Sequence, residues 1–411
     1  MIYRDGYMNR LLWISMCAPI PKSRHGGGQT FHYYFKRMLE TKEWEITLIS
    51  KILDSEIDYQ DTIPCGYKNI YLYKSKGLRR ILDIIVSIPS KLNPNSRYGD
   101  TLLFATYLDY KRKISELAKN GYKPDVIILE WGQMLPLLDF LKSIFPGAKI
   151  VSSEHDVMCL GYFRRAESEK NSVKKIYRFA RYKSIRKNEL LNLSKCDLVF
   201  THNTKDLDIL SNENVTCELD WLVPKFSIRS NTRAISLNNQ IVFFGDMSRP
   251  ENYLSAIWFI DNVMPKLDTS DIEFLIIGNA PHPDLLSRNG RNIKVLGFVD
   301  DLDAIFSSCL CLVAPLLLGA GIKIKIIEAM ASGVPVVTND IGIEGIPAVD
   351  GRDYIHCEKP EEYVSAIKTM ISNSEYVKSI SENGRNCIIK SFNMDDSFLN
   401  YNGHIKSIVN N

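Results

Sequence analysis

The chain has 411 residues, with 51 Lys+Arg against 48 Asp+Glu, 45% hydrophobic and 24% charged residues. Those are the proportions of an ordinary globular protein, and they exclude a disordered, collagen-like or coiled-coil chain. Nine cysteines without CxxC or His/Cys zinc spacing argue against a zinc module, and their odd number fits a reducing compartment better than a disulfide framework.

At about 100–200 residues per domain the length favours two domains. Residues 1–7 read as an extension before Met8, which opens MNRLLWISMCAP. A signal-peptide pattern and any apolar window of about 18 residues are both missing, so neither secretion by a signal peptide nor a membrane span is expected. Short apolar runs then recur with room for a helix between them: 11–18, 45–50, 69–73, 125–131, 149–153 and 197–202. After the polar stretch VPKFSIRSNTRAISLNN (223–239) the pattern restarts at 240–246, 272–278, 293–297, 310–314, 334–338 and 354–357. Continuous rather than alternating hydrophobicity predicts strands buried on both faces, and strand–helix alternation predicts parallel sheets. The expected fold is therefore α/β, with two doubly wound Rossmann-like domains facing a central cleft. The boundaries are placed at 1–228 and 229–392, followed by a terminal helix within 393–411. Cys309 and Cys311 flank Leu310 and are expected as buried thiols on one face of a strand.

Charge is uneven. Residues 1–224 hold 34 basic and 26 acidic side chains, and the remainder 17 and 22. Ten Lys/Arg, among them Arg164 and Arg165, stand between 164 and 187 against two glutamates. In 74–92, Leu78, Ile81, Leu82, Ile85 and Ile88 fall at helical spacing beside Arg79 and Arg80. Two explanations stay open for these stretches: solvated helix faces, or a surface for an anionic lipid or acceptor. Aromatic interleaving and base-reading motifs are absent, so nucleic acid is not an expected partner.

In open parallel sheets ligands lie beyond the carboxyl ends of the strands, so the loops after 18, 153, 246, 278, 297 and 316 are the places to look. The segment 316–346, LLLGAGIKIKIIEAMASGVPVVTNDIGIEGI, puts Gly319, Ala320 and Gly321 between a strand and a helix expected to begin near Gly321. Lys323 and Lys325 would sit in its first turn, against the positive end of the helix dipole, which makes sense if a phosphate lies between them and the helix end. Glu328, three residues beyond Lys325 and amid Ile324, Ile327 and Met330, needs a partner. A ribose diol is one candidate and Lys325 is the other. His155 in SSEHDVM, between two acids, is either a packing residue or a site residue.

GAGIKIKIIEAMASGVPVV followed by GIEGI resembles the donor-binding signature of retaining glycosyltransferase family 4, of GT-B architecture, in members reading G-x-G-x-K-x-K-x-x-E-A-M-A-x-G-x-P-V-V. Gly26–Gly28 after the first strand, His155–Asp156 and FFGDMSRPEN agree with that family in order, over essentially the whole chain. The resemblance implies that Lys325 neutralises the donor diphosphate, that Glu328 holds the ribose, and that Gly321 and Ile322, with Gly319, offer backbone N–H groups. It implies that Gly26, Gly27 and Gly28 form a loop over diphosphate and sugar, that Phe298 and Val299 meet the base, and that His155 faces the transferred sugar. It also implies that the terminal helix crosses back to the first domain. Arg164 and Arg165, like Arg79 and Arg80, are candidate acceptor or membrane contacts. Two departures stand out. Ala320 occupies the place of a sugar-contacting glutamate, and after Gly245 come Asp246 and, at the lysine position, Glu251, with Arg249 a candidate replacement.

The expected activity is sugar transfer with retention from a nucleoside-diphosphate-sugar to a glycan or polyprenyl-linked acceptor, with no metal or other cofactor. Lys325 and His155 are the catalytic candidates. The expected setting is cytoplasmic, with peripheral contact to the anionic inner leaflet, in assembly of bacterial surface polysaccharide such as O-antigen, capsule or exopolysaccharide. A non-hydrolysing sugar-nucleotide epimerase has the same plan, and a two-domain solute-binding protein is the remaining alternative.

Overall fold

The computed structural model describes residues 8–21, 23, 26–74, 76–96, 103–228, 237–267, 271–319 and 321–410; the extension 1–7, Ala320 and much of the polar run at 223–239 lie outside them. The chain divides into two compact units, Met1–Lys225 with Met394–Asn411, and Phe226–Asn393.

The first unit is built on β1 (Asn9–Ser15), β2 (Trp44–Ile52), β3 (Lys68–Tyr73), β4 (Val126–Glu130), β5 (Lys149–Glu154), β6 (Leu198–Thr201) and β7 (Glu218–Trp221). They form one sheet in the order β3-β2-β1-β4-β5-β6-β7, and every neighbouring pair is parallel. The pleat explains the unbroken apolar runs. Leu12, Ile14, Ile127 and Leu129 join the core on one face of the sheet, and Leu11, Trp13, Val126 and Ile128 the core on the other. Both faces of the central strands are buried, so their middle residues are apolar in succession. β7 was invisible to that signal because ELDW is a partly exposed edge strand without an apolar run.

The last helix, Met394–Asn410, belongs to this unit. Its Phe398, Tyr401 and Ile405 pack with Trp13 and Phe35. Its Asn402 accepts from Trp44 Nε1 at 3.0 Å, and Ser397 Oγ accepts from the Val223 N–H at 2.9 Å.

The second unit carries β8 (Gln240–Phe244), β9 (Glu273–Ile277), β10 (Ile293–Gly297), β11 (Cys311–Ala314), β12 (Val336–Thr338) and β13 (Ile355–His356). Their order is β10-β9-β8-β11-β12-β13, again parallel throughout. Strand order reverses between β1 and β4 in one unit and between β8 and β11 in the other, and the loops at those reversals are where such sheets bind ligands. One local expectation is corrected. Both Cys309 and Cys311 are buried, but only Cys311 lies on the strand; Cys309 ends the helix Leu302–Ser308, whose amide ladder closes before the strand opens.

Beside the β8 end the backbones crowd. Gly278 has φ +154° and a Cβ there would lie 1.6 Å from the Gly245 carbonyl oxygen. Gly278→Ala should therefore lower the melting temperature by several degrees, since strained backbone alone costs about 1–3 kcal/mol and the clash adds to it. A melting temperature within a degree of the parent's would show that the close approach does not constrain this turn.

Candidate active site

In the second unit the loop after β11 passes Gly319 (φ +131°) and Gly321 (φ +70°). A left-handed residue cannot continue a right-handed helix, so the helix starts at Ile324, not near Gly321 as the sequence suggests. Lys323 is consequently its N-cap and Lys325 its second residue. The helix Ile324–Ala331 is buried from Ile326 onward.

The Lys325 ammonium donates to Asn252 Oδ1 and lies 4.6 Å from the centroid of the Phe243 ring. Asn252 is held in register because its amide donates to the Asp246 carbonyl at 2.8 Å. Gly245 makes room for this arrangement: with φ +155°, its Cβ would stand 2.9 Å from Asn252 Nδ2 and 3.2 Å from Lys325 Nζ. Burial pulls the Lys325 ammonium down to about 7, and the charge of Lys323 presses the same way; Glu251 opposes the shift and Arg249 adds to it. Lys323 is buried, donates to the Gly321 carbonyl and stands 3.8 Å from Glu344. Arg249 pairs with Glu251, so its charge is partly spent on the acid that stands at the lysine position.

Glu328 is buried, and its Oε1 accepts from the Ser227 N–H at 3.0 Å. The alternative of a Lys325–Glu328 ion pair is not what forms, since Lys325 turns to Asn252. Ile322 is half-buried, and the strongly exposed Phe298 follows β10 together with Val299. No hydrogen bond or ring contact among the described residues ties Phe298 or Val299 to Lys325.

A second cluster stands at the carboxyl ends of the first unit's strands. His155 Nε2 meets Glu130 Oε1 at 2.7 Å. The same carboxyl accepts from Trp13 Nε1 and from Ser153 Oγ, both at 2.9 Å. The imidazole is sandwiched between Trp131, 4.4 Å away at 20°, and His202, 4.1 Å away at 15°. Trp131 adopts φ +72°, an uncommon conformation for a bulky residue, and its N–H donates to the Ser153 carbonyl at 2.9 Å. Burial raises the Glu130 carboxyl to about 7, against the opposing influence of His202, Trp13 and Ser153. Burial, then His155, hold His202 well below its usual value. A neutral His202 donating from Nε2 to Ser153 Oγ, at 3.1 Å, accounts for its buried Nδ1 having no partner.

Gly26–Gly28 are not a loop: they open the helix Gly26–Glu40. The smallness of Gly27 serves proximity, because a Cβ on it would lie 3.1 Å from His155 Nδ1 and 3.5 Å from Trp131 Nε1. Arg165 is exposed and Arg164 half-buried on the helix Met158–Glu167. Arg79 pairs with Asp109 at 3.0 Å, and Arg80 is exposed beside it. Glu130, His155 and His202 each offer one ligand atom within 4.8 Å of the others, as do Asp340, His356 and Glu358 on the surface. In the buried trio the direct Glu130–His155 hydrogen bond and the parallel rings favour a hydrogen-bonded network over convergent metal ligation.

Sequence reasoning missed Glu130, Trp131, His202 and Asn252. Two of these carried a signal: Glu130, an acid near the end of the apolar run DVIILEW, and His202, the last residue of DLVFTH, which follows its strand as His155 follows its own.

Residues 238–373 match the family described as glycosyl transferases group 1. A protein of the Klebsiella pneumoniae cps region, described as uncharacterized, is 24% identical over 95% of this chain and 98% of its own. A phosphatidyl-myo-inositol mannosyltransferase of Mycobacterium leprae is 32% identical over 26% of this chain and 29% of its own. Among solved structures, a sucrose-phosphate synthase from Thermosynechococcus elongatus superposes with TM-score 0.67 at 14% identity, covering 97% of this chain and 99% of that one. Anabaena HepE in complex with UDP-glucose superposes with TM-score 0.63 at 12% identity, covering 97% and 99%. The chain thus has the two Rossmann-like parallel-sheet domains of GT-B glycosyltransferases. Its second unit carries the glycosyl transferases group 1 domain.

The Glu130 carboxyl supplies a pH test. Its folded pKa of about 7 stands above the ordinary 4.5, so its contribution to stability is full below about pH 4.5 and is lost as pH rises through 7. Glu130→Gln cannot titrate. Its stability relative to the parent, followed by denaturant unfolding, should therefore rise between pH 5 and 8 by up to about 3 kcal/mol. A difference independent of pH would mean that Glu130 is ionised in the folded state throughout.

Proposed function

We propose that the protein is a retaining glycosyltransferase of family 4 that moves a sugar from a nucleoside-diphosphate-sugar to a glycan or lipid-linked acceptor. The observation that carries this is Lys325. Its half-buried ammonium is hydrogen-bonded to a neutral amide oxygen and faces an aromatic ring, with Lys323 and Arg249 adding positive charge around it. Glu251 offsets this positive charge only in part, and a diphosphate at the start of the helix Ile324–Ala331 would complete the compensation.

As the glycosidic bond breaks, negative charge grows on the departing diphosphate. Lys325 and the first backbone N–H groups of the helix stabilise it. Glu328, fixed by Ser227, holds the ribose hydroxyls, and His155, fixed by Glu130 and its two stacked rings, is assigned to the transferred sugar. With retention, a phosphate oxygen of the donor takes the acceptor hydroxyl proton on the same face, so no separate carboxylate base is needed. Fixed cations carry the charge that a metal ion carries in other transferases. Asp246 and Glu251 weaken the phosphate field, and Lys323 offsets them. UDP-glucose in the HepE structure, the mannosyltransferase match and the cps-region relative support a nucleotide-sugar donor and a role in surface polysaccharide assembly.

Lys325→Ala should weaken the sugar nucleotide found by a thermal-shift panel of UDP-, GDP- and dTDP-sugars by about 10–100-fold, the worth of a charged hydrogen bond of about 1.5–3 kcal/mol. At pH 8 the parent should take up close to one proton on binding, read as a dependence of calorimetric enthalpy on the buffer, and the variant none. Equal affinities in the two proteins would remove the phosphate assignment. Conversion of the donor without any acceptor would identify an epimerase instead.

Peripheral membrane contact belongs to the same proposal. None of the described helices is long and apolar enough to cross a bilayer, but the helix Gly77–Leu92 exposes a row of apolar residues beside basic ones. The protein should float with phosphatidylglycerol liposomes at low salt and release in 0.5 M salt, since each basic side chain near an anionic surface is worth about 1 kcal/mol and salt screens it. Retention in the soluble fraction at low salt would rule this out.

A further inference from the structure

At the carboxyl ends of β2 and β3, where parallel sheets receive ligands, the first unit has a cavity of about 510 Å³. Its lining is cationic: Lys51 on β2, Lys74 after β3, Arg79 and Arg80 on the helix Gly77–Leu92, Arg112 and Lys113 on the helix Phe104–Lys119. The acids of the lining are Asp83 and Asp109. Asp109 serves Arg79 at 3.0 Å and Arg112 at 3.2 Å, and Lys113 pairs with Glu116 at 2.8 Å. Lys51, Lys74 and Arg80 have no ion pair among the described residues, and burial together with the charge of Lys74 pushes the Lys51 ammonium down. Six cations around one hollow against the two acids Asp83 and Asp109, three of those cations without an ion pair among the described residues, leave a lining of net positive charge that suits a multiply charged anion.

The helix that supplies Arg79 and Arg80 is turned the wrong way round for a globular protein. Its buried residue is Ser87, whereas Leu78, Ile81, Leu82, Ile85, Ile88 and Leu92 on the opposite side are 81%, 55%, 60%, 54%, 43% and 72% exposed. Exposed apolar side chains also stand on the neighbouring helix Ser172–Leu193. The Tyr177 hydroxyl donates to the Lys91 carbonyl at 2.5 Å, and Val173 and Ile176 near it are 77% and 73% exposed. One element therefore offers cations to a cavity on one side and hydrocarbon to the outside on the other. A soluble anion would use only the first, whereas an anionic head on a long hydrocarbon chain uses both.

We propose that this cavity takes the phosphate or diphosphate head of a lipid-linked acceptor, whose hydrocarbon chain lies along the exposed row of the helix Gly77–Leu92. The word acceptor rests on the transferase activity proposed above; the binding itself does not.

The test is calorimetric titration with farnesyl diphosphate below its micellar concentration, with inorganic diphosphate and farnesol as controls. The parent should bind farnesyl diphosphate at least tenfold more tightly than inorganic diphosphate. Lys51→Ala should weaken both at least tenfold, and so should Lys74→Ala/Arg80→Ala, whose side chains are exposed and whose loss leaves the core untouched. Leu82→Ser/Ile85→Ser should reduce farnesyl diphosphate to the affinity of inorganic diphosphate and leave the latter unchanged. Saturating UDP and Lys325→Ala should alter none of these values. Binding that survives the Lys74/Arg80 change, is displaced by UDP or is lost in Lys325→Ala overturns the proposal, as does equal affinity for farnesyl and inorganic diphosphate. Because the readout is binding, a protein that takes farnesyl diphosphate in this way but transfers no sugar sinks the transferase assignment alone.

Discussion

An ammonium group half withdrawn from water and given only neutral partners is unstable as a cation, and much of the second unit's local structure follows from accommodating one. Lys325 can sit over Phe243 because Asn252 turns its carbonyl oxygen toward it, and Asn252 can do so because its amide is already committed to the Asp246 carbonyl. Gly245 must lack a side chain for the three to meet. The desolvation that depresses the ammonium is the same property that makes an incoming anion bind strongly, because water competes weakly there. A surface lysine in the first turn of a helix would have neither feature.

The parallel sheet decides where such chemistry can be assembled. Every strand of each unit ends on the same edge, so groups far apart in sequence gather there without any strand having to bend. In the first unit that edge collects Glu130, His155 and His202 from three consecutive strands. In the second it collects Gly245 and the loop leading to Lys325 from the two strands at the reversal. Trp131 is where the first unit stores conformational strain: its positive φ wraps the chain over the sheet end and brings its ring flat against His155.

Strand positions were legible in the sequence because burial on both faces leaves an unbroken apolar run, a signal that needs no knowledge of partners. β7 lacked that signal, being half exposed at an edge. Helix starts were less legible. The composition GAG-IKIKIIEAM suggests helix from the second glycine, but whether a glycine adopts positive φ is settled by the turn it must make, and Gly321 is left-handed. Gly26–Gly28 failed in the opposite sense, since three glycines suggest a loop and here they open a helix, with Gly27 allowing it to approach His155 closely. Lys325 was readable from its place relative to the helix start. Its partner Asn252, 73 residues away, was not. Glu130 and His202 were half-readable, as polar residues ending apolar strands, but their meeting at His155 depends on strand order, which local pattern does not encode.

The two units also differ in what their surfaces imply about stability. A helix that buries Ser87 and exposes Leu78, Leu82 and Leu92 contributes little hydrophobic stabilisation to its own unit. It is held instead by polar ties: Arg79 to Asp109, the Lys91 carbonyl to Tyr177, and the Asn93 and Ser96 carbonyls after it to the buried Arg181. Arg181, counted in the sequence as one more member of a basic run, is thus a structural strut and not part of a charged surface. Anchoring by hydrogen bonds from the ends and the polar side leaves the apolar side unspent. A patch of that kind is a liability on a molecule surrounded only by water, and an asset on one whose working position lies against hydrocarbon.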